Sequence, residues 1–271
     1  MSRGKFSVNI ISNIIYYAFS ILLNIWFTPY LIKHLGIAAF GIVPLALTLV
    51  SYLSILTLVL NAAVGRFITV SLEKNEIEEA SQYFNTSLIT SIVFVAVTSP
   101  VCIWLALHPQ WFFSIPVGQE SQAQLLFICT VVMFMLTVIS APFDVATFCR
   151  NRFDIRNVMA IMASLLRVSL VVVLFNLLHA EVWQVGIGIV AASLLSLGGA
   201  IWAWRRLTPE LVIDVHGYSP KAFKKLRETG IWIALNQIGT LLLLSIDLLV
   251  VNRILGAEAG GRYASIMQWS A

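Results

Sequence analysis

The sequence predicts an all-α fold: a polytopic transmembrane helical bundle, with a first six-helix lobe and the first helix of a second, parallel-repeat lobe. Three observations predict it. The composition is 59% hydrophobic and only 11% charged, with a mean hydropathy of +0.89, whereas soluble domains carry about a quarter charged residues. Seven apolar stretches are long enough to cross a bilayer, which takes about 20 residues. Finally, the chain starts over. Leu35-Gly36-Ile37-Ala38-Ala39-Phe40-Gly41 recurs as Leu255-Gly256-Ala257-Glu258-Ala259-Gly260-Gly261, and each copy closes a long apolar run. The expected organisation is an N-terminal lobe over 1–204, a basic cytoplasmic linker over 205–230, and the start of a second lobe over 231–271.

The spans are expected at about 8–32, 40–68, 83–107, 123–147, 158–178, 183–204 and 231–252. An eighth opens near Ala259 and is cut at Ala271, so the chain reads as an N-terminal fragment. Arg3 and Lys5 precede the first run as they would a signal peptide, but the run is too long for one and is studded with Asn and Tyr. It reads as a retained span. Pro44, Pro100 and Pro142 fall within spans or near their ends, where bundles tolerate them as kinks. Trp111, Phe112 and Phe113, between two prolines in the third loop, suit an interfacial aromatic belt.

Loop charge gives the orientation. Arg3 and Lys5, then Arg66 and Lys74, then Arg150, Arg152 and Arg156, then Arg205, Arg206, Lys221, Lys224, Lys225 and Arg227 fall on one side, and the other side is nearly bare of them. The N-terminus is therefore expected in the cytoplasm. The net charge of +4 reflects this bias and gives no reason to expect nucleic acid as a partner. In the sixth loop, Ser219 and Pro220 open an amphipathic helix and Gly230 is expected to stop it. Phe223 and Leu226 would share its apolar face, and the lysines would reach lipid phosphates.

Polar groups inside spans are the candidates for function. At about 100° per residue, Asn9, Asn13, Tyr16, Ser20 and Asn24 fall within roughly a quarter of the first helix's circumference. Asn236, Thr240 and Asp247 do the same on the seventh span. With Gly36 aligned on Gly256, Tyr16 matches Asn236 and Ser20 matches Thr240. Such stripes face either a wet cavity between two halves or a neighbouring helix that they hydrogen-bond. Arg167 in the fifth span and Asp247 in the seventh are each costly, about 2.5–3.5 kcal/mol at a helix centre. Arg167 suits an anionic ligand or an ion pair, or else snorkelling or a structural partner. Asp247 suits cation coupling, a pair with Arg253, or a structural hydrogen bond. Asp144 and Arg66 lie near span ends, where snorkelling explains them.

No soluble-enzyme constellation is present, so an enzyme is not expected, nor a cofactor or a metal. Cys102, Cys129 and Cys149 form neither metal spacing nor a disulfide framework.

Taken in order, these segments resemble a known family. A basic N-terminus leads into the polar-striped span, then L-G-x-x-x-x-G, then a second span ending N-A-A-V-G-R. A basic amphipathic loop follows, then a span carrying Asp247, then L-G-x-x-x-G-G-R-Y. This is similar to the polysaccharide transporter branch, of the O-antigen flippase type, in the multidrug/oligosaccharidyl-lipid/polysaccharide exporter superfamily. The resemblance implies two six-span lobes in the bacterial inner membrane that alternate access around a cleft. The implied substrate is a polyprenyl-pyrophosphate-linked oligosaccharide. The implied partners are membrane lipids and the polysaccharide polymerase and chain-length machinery. Family motifs carry onto Gly36, Gly41, Gly256 and Gly261 as structural turns, and onto Arg66 and Asp247. Lipid II flippases carry charges in the first span. Here that stripe is neutral, which leaves pyrophosphate recognition to Arg167, Arg66 or residues of the second lobe. A cation-coupled drug exporter would cluster acids in the first lobe. A glycan polymerase or ligase would need a large polar outer loop, and none is present.

Overall fold

The computed structural model describes residues 3–61 and 63–270, without the side chains of 3–6, 55–61, 232–234, 236–238, 240–245 and 268–270. Its described residues form helices α1 (Arg3–Leu35), α2 (Ile37–Phe40), α3 (Ile42–Asn61), α4 (Val64–Glu73), α5 (Ile77–Leu107), α6 (Glu120–Cys149), α7 (Phe153–Leu177), α8 (Val182–Leu207) and α9 (Pro220–Ser270). Six of them are long and apolar enough to span a membrane: α1, the α2–α3 stretch, α5, α6, α7 and α8. The seventh expected span, 231–252, lies within α9, but most of its side chains fall outside the described residues.

Two sequence expectations need correcting. The stretch 40–68 is not one span: α3 ends at Asn61 and a separate helix starts at Val64. α4 is amphipathic, burying Val64, Ile68 and Ser71 while Arg66 stays exposed, so the apolar run continues into a helix that no longer needs lipid on all sides. Gly230 does not stop the linker helix. Ser219 caps it as expected, its Oγ accepting from the Ala222 N–H at 3.4 Å. The helix then continues through Gly230, and its first non-helical residue is Gly256. A glycine in a helix interior costs only about 1 kcal/mol relative to alanine, so it ends a helix only where nothing beyond favours continuation.

Local chemistry sets the turns. Asn75 and Asn151 take left-handed backbone (φ 64 and 52) at the turns after α4 and α6, the role asparagine shares with glycine at helix C-termini. α8 opens with a reciprocal capping box between Glu181 and Gln184. The repeated Leu-Gly segments make the same turn: Gly36 has φ 81 and ψ 157, and Gly256 has φ 89 and ψ 176. That region is open essentially only to glycine. The two copies also meet, because α9 packs on α2 and α3. A Cβ on Gly41 would lie 2.8 Å from Gly261 Cα, and one on Gly261 would collide with the Ile37 carbonyl.

α6 is central, packing on α3, α4, α5 and α8, while α1 leans on α7. Most of α1's apolar side chains, including Ile14, Tyr17 and Leu22, face outward, as lipid permits. The core is divided in two. One cluster gathers Phe27, Phe40, Leu126, Phe127 and Val171. The other gathers Ile68, Phe84, Phe143, Trp204 and Leu226, with Phe84 stacked on Trp204 at 5.6 Å. In the third loop Trp111 and Phe112 are exposed, but Phe113 turns inward and packs on Phe127 at 5.3 Å.

Candidate functional site

The site lies beside the first of those apolar clusters, which supplies Ile189 to its wall. α6 contributes Thr137, Ser140 and Asp144, α7 contributes Arg167, and α8 contributes Ser193 and Ser196, around a cavity of about 290 Å³. The spacing explains the convergence. On α6, positions 137, 140 and 144 fall within about 60° of each other at 100° per residue, and Ser193 and Ser196 are one turn apart on α8. The hydroxyls of Thr137, Ser193 and Ser196 donate to the carbonyls of Met133, Ile189 and Ala192 at 2.8–2.9 Å. Their protons are therefore spent on their own helices, and oxygen lone pairs remain for the cavity. A second cavity of about 170 Å³ adjoins, sharing Asp144 and Ser196 and adding Arg156 and Thr147.

Arg167 is half-buried. Its Cζ stands 5.8 Å from the centroid of the Phe27 ring on α1, a cation–π arrangement, with Tyr16 close enough to feel its charge. Its Nε is buried without a hydrogen-bond partner among the described atoms. It joins no ion pair among the described residues. A guanidinium presents five donors in a planar fork that matches carboxylate and phosphate oxygens, so an unused donor beside a polar cavity fits an anion.

The stripe on α1 divides between the two readings. Asn9 Nδ2 donates to the Asn151 carbonyl at 2.9 Å and to its side-chain oxygen at 3.1 Å. Asn157 Nδ2 donates to Ser12 Oγ at 3.0 Å and to Asn13 Oδ1 at 2.7 Å. This end of the stripe joins helices. Tyr16 and Ser20 are half-buried and Asn24 is exposed, and Tyr16 is an electrostatic neighbour of Arg167. Arg66 is exposed on α4 and does not line the cavity. Asn236 and Thr240 lie outside the described side chains. Asp247 is exposed and accepts from the Tyr263 hydroxyl at 3.4 Å. Tyr52 of α3 is its electrostatic neighbour, and no ion pair joins it to Arg253 among the described residues. Asp247 and Arg167 thus belong to different places. Near Asp247, a larger apolar cavity of about 530 Å³ lies between Leu49, Tyr52, Phe112, Phe113 and Leu249, with Arg253 on its wall.

Sequence reasoning passed over Thr137, Ser140, Ser193 and Ser196 and accounted for Asp144 by snorkelling. The angular count that found the α1 stripe would have grouped Thr137, Ser140 and Asp144 on α6.

Comparison with known proteins places this geometry in context. Residues 6–270 match the family described as "Polysaccharide biosynthesis protein". The chain is 32% identical over 270 residues to "Uncharacterized membrane protein EpsK" of Bacillus subtilis (strain 168), covering 98% of this chain and 52% of that protein. It therefore spans about half the length of that curated relative. A solved structure named "protein A" shares the fold with a TM-score of 0.61 at 16% identity, over 99% of this chain and 60% of its own.

Proposed function

We propose that this chain, which belongs to the polysaccharide biosynthesis protein family, is the first lobe and the opening of the second in a flippase for polyprenyl-pyrophosphate-linked oligosaccharide. Its six apolar helices and its membrane-protein relative make it a multi-pass membrane protein. The positive-inside pattern supports a cytoplasmic N-terminus, in a bacterial cytoplasmic membrane. The substrate crosses from the cytoplasmic to the outer leaflet, where a polysaccharide polymerase would take it. The domain boundaries expected from sequence fit this reading with one change: the linker's helical part is continuous with the seventh span.

One observation carries the reading: Arg167, with an unused buried donor, lines a cavity that also bears four hydroxyl side chains. A pyrophosphate needs such a donor in a region otherwise hostile to charge. The sugar would follow the hydroxyl-lined wall while the polyprenyl tail stays in lipid. The lobes then rock to expose the cleft to each side in turn. No bond is made or broken. A drug exporter coupled to cations fits less well, because the described cavity holds one carboxylate, Asp144, and no cluster of them.

The test is Arg167→Ala in the full-length gene, with surface polysaccharide and membrane protein level measured together. Losing a charge-assisted contact worth about 1.5–3 kcal/mol should lower polysaccharide display by about tenfold or more at normal protein level. Undiminished display would overturn the role given to Arg167.

A further inference from the structure

The cavity beside Arg167 holds a second charge. Asp144 lines it and the adjoining cavity alike. Its Oδ2 accepts from Ser140 Oγ at 3.1 Å, and it joins no ion pair among the described residues. The groups facing it from neighbouring helices are Arg167 and Arg156 on α7, Ser193 and Ser196 on α8, and Leu47 on α3. Tyr16 of α1 stands beside Arg167. The lining of the 290 Å³ cavity therefore contains one base and one acid on neighbouring helices, not in contact, in a region where charge is weakly screened.

We propose that Asp144 and Arg167 form a proton-linked anion site. When Asp144 is ionised, its charge offsets part of the positive charge that Arg167 and Arg156 bring to the two adjoining cavities. When a proton occupies the carboxylate, the guanidinium charges stand unopposed and the cavity beside Arg167 takes up an anion of the phosphate class. Binding one anion therefore draws in one proton, held on an Asp144 oxygen. Ser140 Oγ donates to the Asp144 carboxylate, and Thr137, Ser193 and Ser196 donate to their own helices, which leaves the Arg167 guanidinium as the main donor to an anion in this cavity. The presence of Arg167 argues against a metal cation at the same place. This rests on the flippase reading for the identity of the anion, the pyrophosphate of the lipid carrier, but not for the linkage itself.

The experiment uses the purified full-length protein in detergent, with sulfate as probe because its charge is constant from pH 5 to 8. Sulfate affinity is read from the shift in thermal unfolding, for wild type and for Asp144→Asn, Arg167→Gln and Arg167→Lys. In wild type, sulfate should bind more tightly at low pH and weaken by up to about tenfold per pH unit above the carboxyl's midpoint. Asp144→Asn should bind as wild type does at low pH, with no dependence on pH. Arg167→Gln should lose sulfate binding at every pH. Arg167→Lys, which keeps the charge without the fork, should retain the pH dependence at weaker affinity. A wild-type pH dependence that survives in Asp144→Asn overturns the proposal, as does sulfate affinity independent of Arg167. Polysaccharide display is scored separately. Intact linkage with normal display in Arg167→Gln would sink the flippase reading alone. Absent linkage with lost display would sink the proton-linked site alone.

Discussion

Asn157 donates one amide to two oxygens on α1, Ser12 Oγ and Asn13 Oδ1, and its side chain is buried. Asn157→Ala should therefore destabilise the first lobe by about 0.6–1.7 kcal/mol, the range found for hydrogen bonds between membrane helices. Thermal unfolding in detergent would measure it, and an unchanged midpoint would mean that the contact contributes nothing. The same pair shows how far single residues can be read from sequence. The angular count found a polar stripe on the first span, but a stripe does not say what faces it. Asn13 and Asn157 are 144 positions apart, and no local pattern announces such a partner. Arg167 was legible because a charge interrupts an apolar run. Asp144 was not, because a carboxylate near a span end already has snorkelling as a sufficient explanation.

Among the elements, the segment between α8 and α9 is held to α5 by polar side chains in addition to Leu211, which is buried in the second apolar cluster. Asn85, fully inside, donates to the Val212 carbonyl at 3.0 Å and accepts from the Asp214 N–H at 2.9 Å, and Thr86 Oγ1 accepts from the Ser219 N–H at 3.0 Å. Asn85→Ala would leave two backbone groups without partners, at about 1–3 kcal/mol. Limited proteolysis should then cut 208–219 faster, and an unchanged rate would refute the pinning role. A further contact lies at the start of α9. Lys225 Nζ donates to Tyr83 Oη at 3.0 Å, and Tyr83 donates to Glu79 at 3.0 Å. The Tyr83 hydrogen bond, then charge, raises the Lys225 ammonium above the ordinary lysine range. Because the shift is upward on a cation, the contact is complete at neutral pH and is lost only as pH rises through that raised value. Spans were legible at this scale because an apolar run long enough for lipid has few other uses. The break between α3 and α4 was hidden because α4's buried face prolongs the run, and only its hydrophilic face, with Arg66, marks the change.

At the scale of the whole molecule, α9 is the feature with the widest reach. From Pro220 to Leu255 it runs unbroken for about 36 residues, or about 54 Å at 1.5 Å per residue. A hydrocarbon core is only about 30 Å thick, so one end of this rod must project beyond it. That end bears exposed Lys221, Lys224, Lys225 and Arg227. The far end finishes at the Gly256 turn, beside the Gly41–Gly261 contact. On the proposed orientation, such a rod would act as a tiller: a sideways pull on its basic end, by anionic headgroups of the inner leaflet, would become an opposite swing where the two repeats touch, with the bilayer as the rowlock. Gly230→Pro would put a hinge in the shaft at a cost of about 3 kcal/mol. Polysaccharide display in the full-length protein should then fall while membrane level holds, and undiminished display would show that the stroke is not passed along α9. In such a machine, the lipid composition of one leaflet would set the position of a joint at the other.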